Sequence, residues 1–280
     1  MFKKMLSSLL VSALIISGGT AAYASPEKNA NVPTKQTTSI SKDLYTVDGE
    51  FLGSLNKTTT IEQITDKNGE PSYISTVTKD YELAKEYAAI PAYTEKFADS
   101  TEITTFSVNE ENELEVNGEV ITENDIPTFL IGSSDASGTP SFSISSSDAG
   151  GAPTISHYYS NSDRTRYTFG TYSGVSFKFD GGVYVGPTGS NASRTNIPKT
   201  NSNFYDAKAA MDSVETNYRD TYVKAAAFAF EATMTFFSLS TVIAAIPLGG
   251  ALAFIAIDLY NTFSDLQDDV GDAYYAVSHM

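Results

Sequence analysis

The chain has 280 residues, no cysteine, two histidines and a formal net charge of −16 at pH 7. The lack of cysteine excludes disulfide bonds and a thiol nucleophile, and the negative charge argues against nucleic acid as a partner. A chain of this length is long enough to bury an ordinary hydrophobic core.

The first 25 residues have the pattern of a secretory signal peptide. Lys3 and Lys4 precede an apolar run at residues 5–16, and Ala22-Tyr23-Ala24 supplies the small residues of a cleavage site. We predict residues 1–24 to be the signal peptide, cleaved between Ala24 and Ser25, and the product to be secreted into the extracellular medium. An uncleaved anchor is the alternative, but the apolar run is short for a membrane span.

Charge is distributed unevenly along the rest of the chain. Residues 25–157 carry 8 lysines against 22 carboxylates, residues 158–202 are net positive, and residues 203–280 are acidic again. All four arginines lie beyond residue 160. Asymmetry of this kind indicates segments with separate roles.

The first predicted unit after the signal peptide is acidic and rich in strands. Residues 25–41 have a composition typical of a disordered segment. Residues 42–131 contain Asp48-Gly49, Asn68-Gly69 and Asn117-Gly118 between alternating apolar and polar residues, which predicts β-hairpins. A helix is predicted at residues 79–89. We expect residues 42–131 to form an acidic α+β unit, and we regard it as a candidate pro-region.

Two shorter segments follow the acidic unit. Residues 132–157 are dominated by Gly and Ser, which predicts a linker because such a composition buries too little surface to offset its ordering entropy. Residues 158–202 alternate aromatic and polar side chains around Asp180-Gly181-Gly182, which predicts a short β meander of three or four strands.

Residues 203–280 change to a helical period and predict a C-terminal helical domain. One long helix is expected from Phe204 toward Ile246. Together with the preceding segments, this indicates an α+β fold: an acidic strand-rich N-terminal unit, a Gly/Ser linker, a short β meander, and a helical domain with an apolar helical hairpin.

The hairpin is the most apolar feature of the chain. Glu231 is the only charged residue within residues 225–257, and the turn sequence Pro247-Leu248-Gly249-Gly250 divides that run into two arms. The first arm, residues 225–246, would be about 33 Å long as a helix, enough to cross a bilayer. The second, residues 248–263, contains Asp258, which would cost roughly 2.5–3.5 kcal/mol at bilayer depth. The residues predicted to act on membranes are Ala225, Phe228, Phe236, Phe237, Val242, Ile243, Pro247, Gly249, Gly250 and Phe254.

Two interpretations of the hairpin stay open. It inserts into a membrane at some stage, or it is the buried centre of a soluble helical domain, shielded by an amphipathic helix at residues 204–223. A helix that is apolar on every face must be buried in one of these two ways.

Residues with catalytic or metal-binding chemistry are few. We predict His157 to be a solvated loop residue and His279 to lie in a frayed terminus, and no nucleophile or phosphate-binding motif occurs. The acidic run from Asp265 to Asp272 lacks the ligand spacing of a calcium loop and is expected to be a solvated helix end. We therefore predict no enzyme activity, no cofactor and no metal. A hydrolase that uses two carboxylates is the remaining catalytic alternative.

The order of these segments resembles the large, unmodified, secreted bacteriocins of bacilli, of the geobacillin type. Residues 225–257 and the turn at Pro247 carry the resemblance. It implies antibacterial activity against related Gram-positive cells through the target-cell membrane, and it implies no catalytic residue. A surface receptor, an immunity protein and self-association are open as further partners. The alternative function is that of a non-catalytic extracellular structural or surface-binding protein with the hairpin as core.

Overall fold

A computed structural model describes residues 34–65, 69–122, 129–130, 155–173, 178–179, 182–183, 190–232, 236–237 and 239–280. All of them belong to the unit that begins at Pro33, and together they form an α+β fold of antiparallel sheets and long helices. The predicted signal peptide, its cleavage site at Ala24 and Ser25, and most of the predicted linker lie outside the described residues.

A six-stranded antiparallel sheet, here called the large sheet, forms most of the N-terminal half. Its strands follow one another in sequence order, and the helical segment at residues 84–99 joins the third strand to the fourth. Positive φ angles at Gly49, Asn117 and Gly118 confirm two of the predicted hairpin turns. The strands are β1 (Lys35–Tyr45), β2 (Phe51–Thr65), β3 (Pro71–Leu83), β4 (Ser100–Val108), β5 (Leu114–Val116) and β6 (Glu119–Val120).

The large sheet differs from the sequence predictions at two places. Strand β1 begins at Lys35, inside the segment predicted to be disordered, because it pairs with β2 along its whole length. The helix predicted at residues 79–89 was wrong for its first half, since β3 continues to Leu83 in register with β2. Only the short helices α1 (Lys85–Ala88) and α2 (Pro91–Lys96) follow. Ladder pairing over the length of β3 outweighs a weak local helix propensity.

A three-stranded antiparallel sheet, the small sheet, lies in the segment for which the meander was predicted. Its order is β12-β9-β8, so the middle strand of the sheet is β9. Two further strand pairs are short. The strands are β7 (Phe129–Leu130), β8 (Ser156–Tyr159), β9 (Arg166–Tyr172), β10 (Lys178–Phe179), β11 (Gly182–Val183), β12 (Asn191–Pro198) and β13 (Phe236–Phe237), with β10 paired to β11 and β7 paired to β13.

Three helices form the C-terminal part of the fold: α3 (Phe204–Ala232), α4 (Leu239–Leu248) and α5 (Gly250–Ser278). Helices α3 and α5 pack along one another, and α4 packs on α5. The single helix predicted from Phe204 toward Ile246 is therefore interrupted, with β13 between α3 and α4. The predicted turn lies at Gly249, whose φ of 67° favours glycine.

One hydrophobic core joins both sheets to the helices. The large sheet contributes Tyr73 and Phe106, and the small sheet contributes Tyr167 and Phe169. Helices α3 to α5 supply the greater part of the remaining core residues. The segments predicted separately at residues 42–131, 158–202 and 203–280 thus share this core, and a second, smaller cluster joins β1, β2, α1 and α2 to α3. The helical contributors with the lowest exposure include Phe204, Ala207, Met211, Val242, Ile246, Ala253, Ala256, Ile257, Leu259 and Val277.

The C-terminal end of α5 is held by polar contacts from the small sheet and the start of α3. The Arg194 guanidinium donates to the carbonyl oxygen of Ser278 at 2.9 Å and to that of Met280 at 3.4 Å. The Asn203 carboxamide donates to the carbonyl oxygen of His279 at 3.0 Å. The last carbonyls of a helix have no partner within it, and a cation at that end is favourable. Arg194 therefore fixes the end of α5.

Replacing Arg194 with alanine is expected to lower the free energy of unfolding by about 1–2 kcal/mol, because the helix-end carbonyls lose a charged donor. Urea unfolding followed by circular dichroism measures the change. Arg166→Ala is the matched control: Arg166 is exposed and bonds one carbonyl, that of Asn196, so its loss should stay below about 0.5 kcal/mol. Equal losses in the two variants would contradict the role given to Arg194.

Candidate functional site

Part of the apolar hairpin predicted from sequence is buried against the large sheet. Val242, Ile246 and Phe254 are all at most 2 % exposed. The Tyr73 hydroxyl on β3 donates to the Ile246 carbonyl oxygen at 3.1 Å, and its ring meets the Phe254 ring edge-on at 6.1 Å. A Cβ added at Gly249 would lie 3.4 Å from the same hydroxyl. The turn of the hairpin is thus closely packed on β3.

The structure brings part of the predicted membrane-active set together at this place. Val242 and Phe254 are buried, Ile243, Gly249 and Gly250 are half-buried, and Pro247 is exposed inside α4. The remaining four residues are located by their backbone alone: Ala225 and Phe228 lie on α3, and Phe236 and Phe237 form β13, which pairs with Leu130 and Phe129 of β7.

Ion pairs join the lysines of the N-terminal segment to aspartates of the helices. Asp265 on α5 receives Lys79 at 2.8 Å and Lys57 at 3.6 Å. The Lys96 ammonium of α2 lies 2.6 Å from the carboxylates of Asp269 and Asp272 on α5. The Lys42 ammonium of β1 lies 2.7 Å from the Asp220 carboxylate of α3. We call this set the sheet–helix ion pairs: Lys42–Asp220, Lys57–Asp265, Lys79–Asp265, Lys96–Asp269 and Lys96–Asp272.

The prediction of a solvated acidic helix end was wrong for two of its carboxylates. The side chains of Asp265 and Asp269 are 12 % and 7 % exposed. Asp269 also accepts hydrogen bonds from Ser213 and Asn217 of α3, both at 2.6 Å. The partners come from distant segments, so the local sequence around Asp269 contains no sign of them. Among the described residues no group of three or more acidic or His side chains is arranged to hold a metal ion.

Burial changes the proton affinity of these charged groups. It lowers the pKa of Lys57 to about 8, assisted by the nearby Lys224 ammonium, and it raises the pKa of the Asp269 carboxyl. Both directions show that desolvation opposes the charged forms. A buried pair of this kind contributes little net stability, although removal of one partner is strongly destabilising. The sheet–helix ion pairs therefore specify where the helices dock more than how tightly.

Asp258, the carboxylate that opposes insertion of the second arm, has a partner that sequence reasoning missed. The Lys224 ammonium of α3 lies 2.7 Å from the Asp258 carboxylate and 2.7 Å from the Thr262 hydroxyl. The two residues are separated by 34 positions. Only the packing of α3 against α5 brings them together.

Asp265→Asn is expected to lower the free energy of unfolding by about 1–3 kcal/mol, because Lys79 and Lys57 lose the carboxylate that they share and Lys57 is left buried without a countercharge. Chemical denaturation at pH 7 measures the loss. Asp268→Asn is the control, since Asp268 is an exposed neighbour on the same helix. A loss below about 1 kcal/mol for Asp265→Asn would show that Lys57 is not held in the buried, charged state described.

His157 is buried, so the prediction of a solvated loop residue was wrong. Strand β8 turns it inward, and its Nδ1 lies 2.8 Å from the Tyr167 hydroxyl oxygen. Its Nε2 is buried with no hydrogen-bond partner in the described part of the chain. Burial, with a contribution from the Lys208 ammonium, lowers the pKa of His157 to about 3. His279 is exposed, and its Nδ1 lies 2.7 Å from the Tyr275 carbonyl oxygen. Among the described residues, no carboxylate is hydrogen-bonded to either histidine.

His157 is expected to make the fold less stable in acid. Its folded-state pKa is depressed, so the unfolded chain binds a proton that the folded chain does not, and stability falls as the pH drops from about 6.5 toward 3. Between pH 7 and 4.5, His157→Asn should lose about 2 kcal/mol less stability than the natural protein.

Urea unfolding of both proteins at the two pH values tests this expectation. The raised pKa values of Asp48, Asp268 and Asp269 act in the opposite direction, but they do so in both proteins and cancel in the comparison. Identical pH dependence in the two proteins would contradict the burial of a neutral His157.

Within the described residues, no helix has the length and hydropathy needed to cross a membrane. No protein-family model, no curated protein and no solved structure matches the chain. The hairpin, its cover and its charge pairs are therefore the basis for a functional proposal.

Proposed function

We propose that the protein is a secreted antibacterial protein of the bacteriocin kind, which acts on target-cell membranes through its C-terminal apolar hairpin. The observation that carries the proposal is the position of that hairpin beneath the large sheet. Residues 225–257 contain a single charge, and the apolar surface of Phe254 and Ile246 that Tyr73 of the large sheet contacts would meet water if the sheet were absent. A protein that travels through water to a membrane needs such a cover.

The cover, residues 42–131, can separate from the helices because the interface between them contains charged groups. When an interface that contains charged groups opens, water solvates those groups again. This favourable hydration offsets part of the free energy lost when apolar surface is exposed. Lys57, Lys79, Asp265 and Asp269 are the groups that regain most water, because each side chain is at most 12 % exposed. In this proposal residues 42–131 act as a cover or pro-region, and contact with the target membrane or a receptor displaces them.

Helices α3 and α5 are suited to move as one unit. The Lys224–Asp258 pair joins them at 2.7 Å, so the carboxylate that would be costly alone in lipid takes its countercharge with it. Small residues at Ala244, Ala245, Gly249 and Gly250 permit close helix packing in lipid as well as in water. The resemblance of the segment order to that of the bacteriocins of bacilli supports Gram-positive cells as targets. The proposal contains no catalytic step.

A second function is favoured by a different observation. The hairpin is part of a core that includes both sheets, and no described helix has the properties of a membrane span. A non-catalytic extracellular structural or surface-binding protein would need the hairpin only as core. The two functions differ in whether the hairpin must leave its cover.

A covalent link between the cover and α5 tests this difference. The chain has no cysteine, so Lys96→Cys with Asp272→Cys introduces a single thiol pair at the place of an ion pair between α2 and α5. A cleavable bismaleimide linker then replaces the contact. We expect the linked protein to lose its ability to depolarise Gram-positive cells loaded with a potential-sensitive dye, and cleavage of the linker to restore it.

The control places the same linker within the large sheet. Thr37 and Thr60 face each other on β1 and β2 with hydroxyls 3.1 Å apart, so Thr37→Cys with Thr60→Cys restrains the cover without joining it to a helix. Full activity of the protein linked between α2 and α5 would show that the hairpin does not need to leave. Inactivity of every form, including the natural protein, across a broad panel of strains would favour the structural function.

A further inference from the structure

A cavity of about 380 Å³ opens between the large sheet and α5. One wall is formed by β3 to β6 and the other by three residues of α5, Tyr260, Asn261 and Ser264. Its size is within the range of small-molecule sites, and its lining is mainly polar. The cavity therefore lies across the same interface that the sheet–helix ion pairs close.

Two carboxamides in this cavity are held in fixed orientations. The Asn261 amide nitrogen donates to the Ser75 hydroxyl at 2.7 Å, and the Asn117 side-chain oxygen accepts from the Thr105 amide at 2.9 Å. Each carboxamide has a second polar atom beyond the one in that bond. Asn261 thus retains an acceptor, and Asn117 retains a donor.

Three further polar groups of the lining have no side-chain partner within the described residues: the hydroxyls of Thr104 and Ser264 and the carboxylate of Glu119. The second carboxylate, that of Glu102, is bound to the Lys79 ammonium at 3.3 Å. The lining therefore has hydrogen-bond donors, hydrogen-bond acceptors and an excess of negative charge. It also includes the apolar side chains of Val77 and Val116 and the ring of Tyr260.

We infer that this cavity binds an amino sugar. A hexose-sized polyol matches the mixture of fixed donors and acceptors, and a protonated amine matches the carboxylates. An anionic sugar is disfavoured because two carboxylates line the site. The same chemistry is available from a free amino sugar or from a glucosamine unit of a polymer.

A ligand bound in the cavity stabilises the state in which the large sheet and α5 are packed together. A ligand that contacts both the sheet and α5 binds only while the two are together, so its binding free energy adds to the stability of that state. The effect on membrane activity rests on the proposed function: a bound sugar would delay release of the hairpin. Binding itself does not depend on that function, so the two can fail separately.

Calorimetric titration of the purified protein with glucosamine, N-acetylglucosamine and glucuronate tests the inference, with a chitosan trimer to represent the polymer. We expect glucosamine or its trimer to bind, N-acetylglucosamine to bind more weakly and glucuronate not to bind. The melting temperature should rise with sugar concentration as the dissociation constant from calorimetry requires. Absence of binding by both glucosamine and the trimer, or equal binding of glucuronate, would overturn the assignment.

Variants identify the site. Thr104→Val combined with Ser264→Ala removes two hydroxyls with little change of shape and should weaken binding roughly tenfold, and Glu119→Gln should weaken glucosamine more than N-acetylglucosamine. Glu111→Gln removes the same charge from the exposed turn between β4 and β5, outside the cavity, and should leave affinity unchanged. Unchanged affinity in the cavity variants would show that the sugar binds elsewhere.

Discussion

The burial of a nearly uncharged helical hairpin is the constraint on which the rest of the structure depends. An apolar run of this length in water requires a cover, and the hairpin residues contact strands that lie more than a hundred positions earlier in the chain. Tyr73 shows how closely the cover fits, because its hydroxyl satisfies the carbonyl of Ile246 while its ring packs on Phe254. The large sheet, its lysines and the small sheet are arranged around that requirement.

Ion pairs between lysines and helix aspartates are the second feature that organises the fold. Because of them, part of the acidic composition lies in buried contacts and not on a solvated surface. The chain is strongly negative, yet four of its lysines, Lys42, Lys57, Lys79 and Lys96, pair with aspartates of the helices. Asp265, Asp269 and Asp220 each receive one or more of them. Because such buried pairs add specificity more than stability, they are compatible with a cover that must hold in water and separate elsewhere. The cavity beside Tyr260 is at the same interface, so a ligand there would act on the same equilibrium.

The two functional proposals use the same fold and differ in one physical event, the departure of the hairpin from the sheet. A core that includes both sheets makes departure costly, whereas the hydration of released charges and the paired Lys224–Asp258 reduce that cost. The balance between these terms decides between a membrane-active protein and a structural one.

Local chemistry by itself determined the α+β class, two of the predicted hairpin turns and the position of the hairpin break. Asn117-Gly118 forms its turn because only such residues accept positive φ readily, and Gly249 ends α4 for the same reason. Tertiary structure alone decided the extension of β3 to Leu83, the inward position of His157 and the partners of Asp258 and Asp265. Strand pairing and buried charge contacts join residues that are far apart in the chain. Periodicity and composition describe only neighbours, and they carry no record of those distant partners.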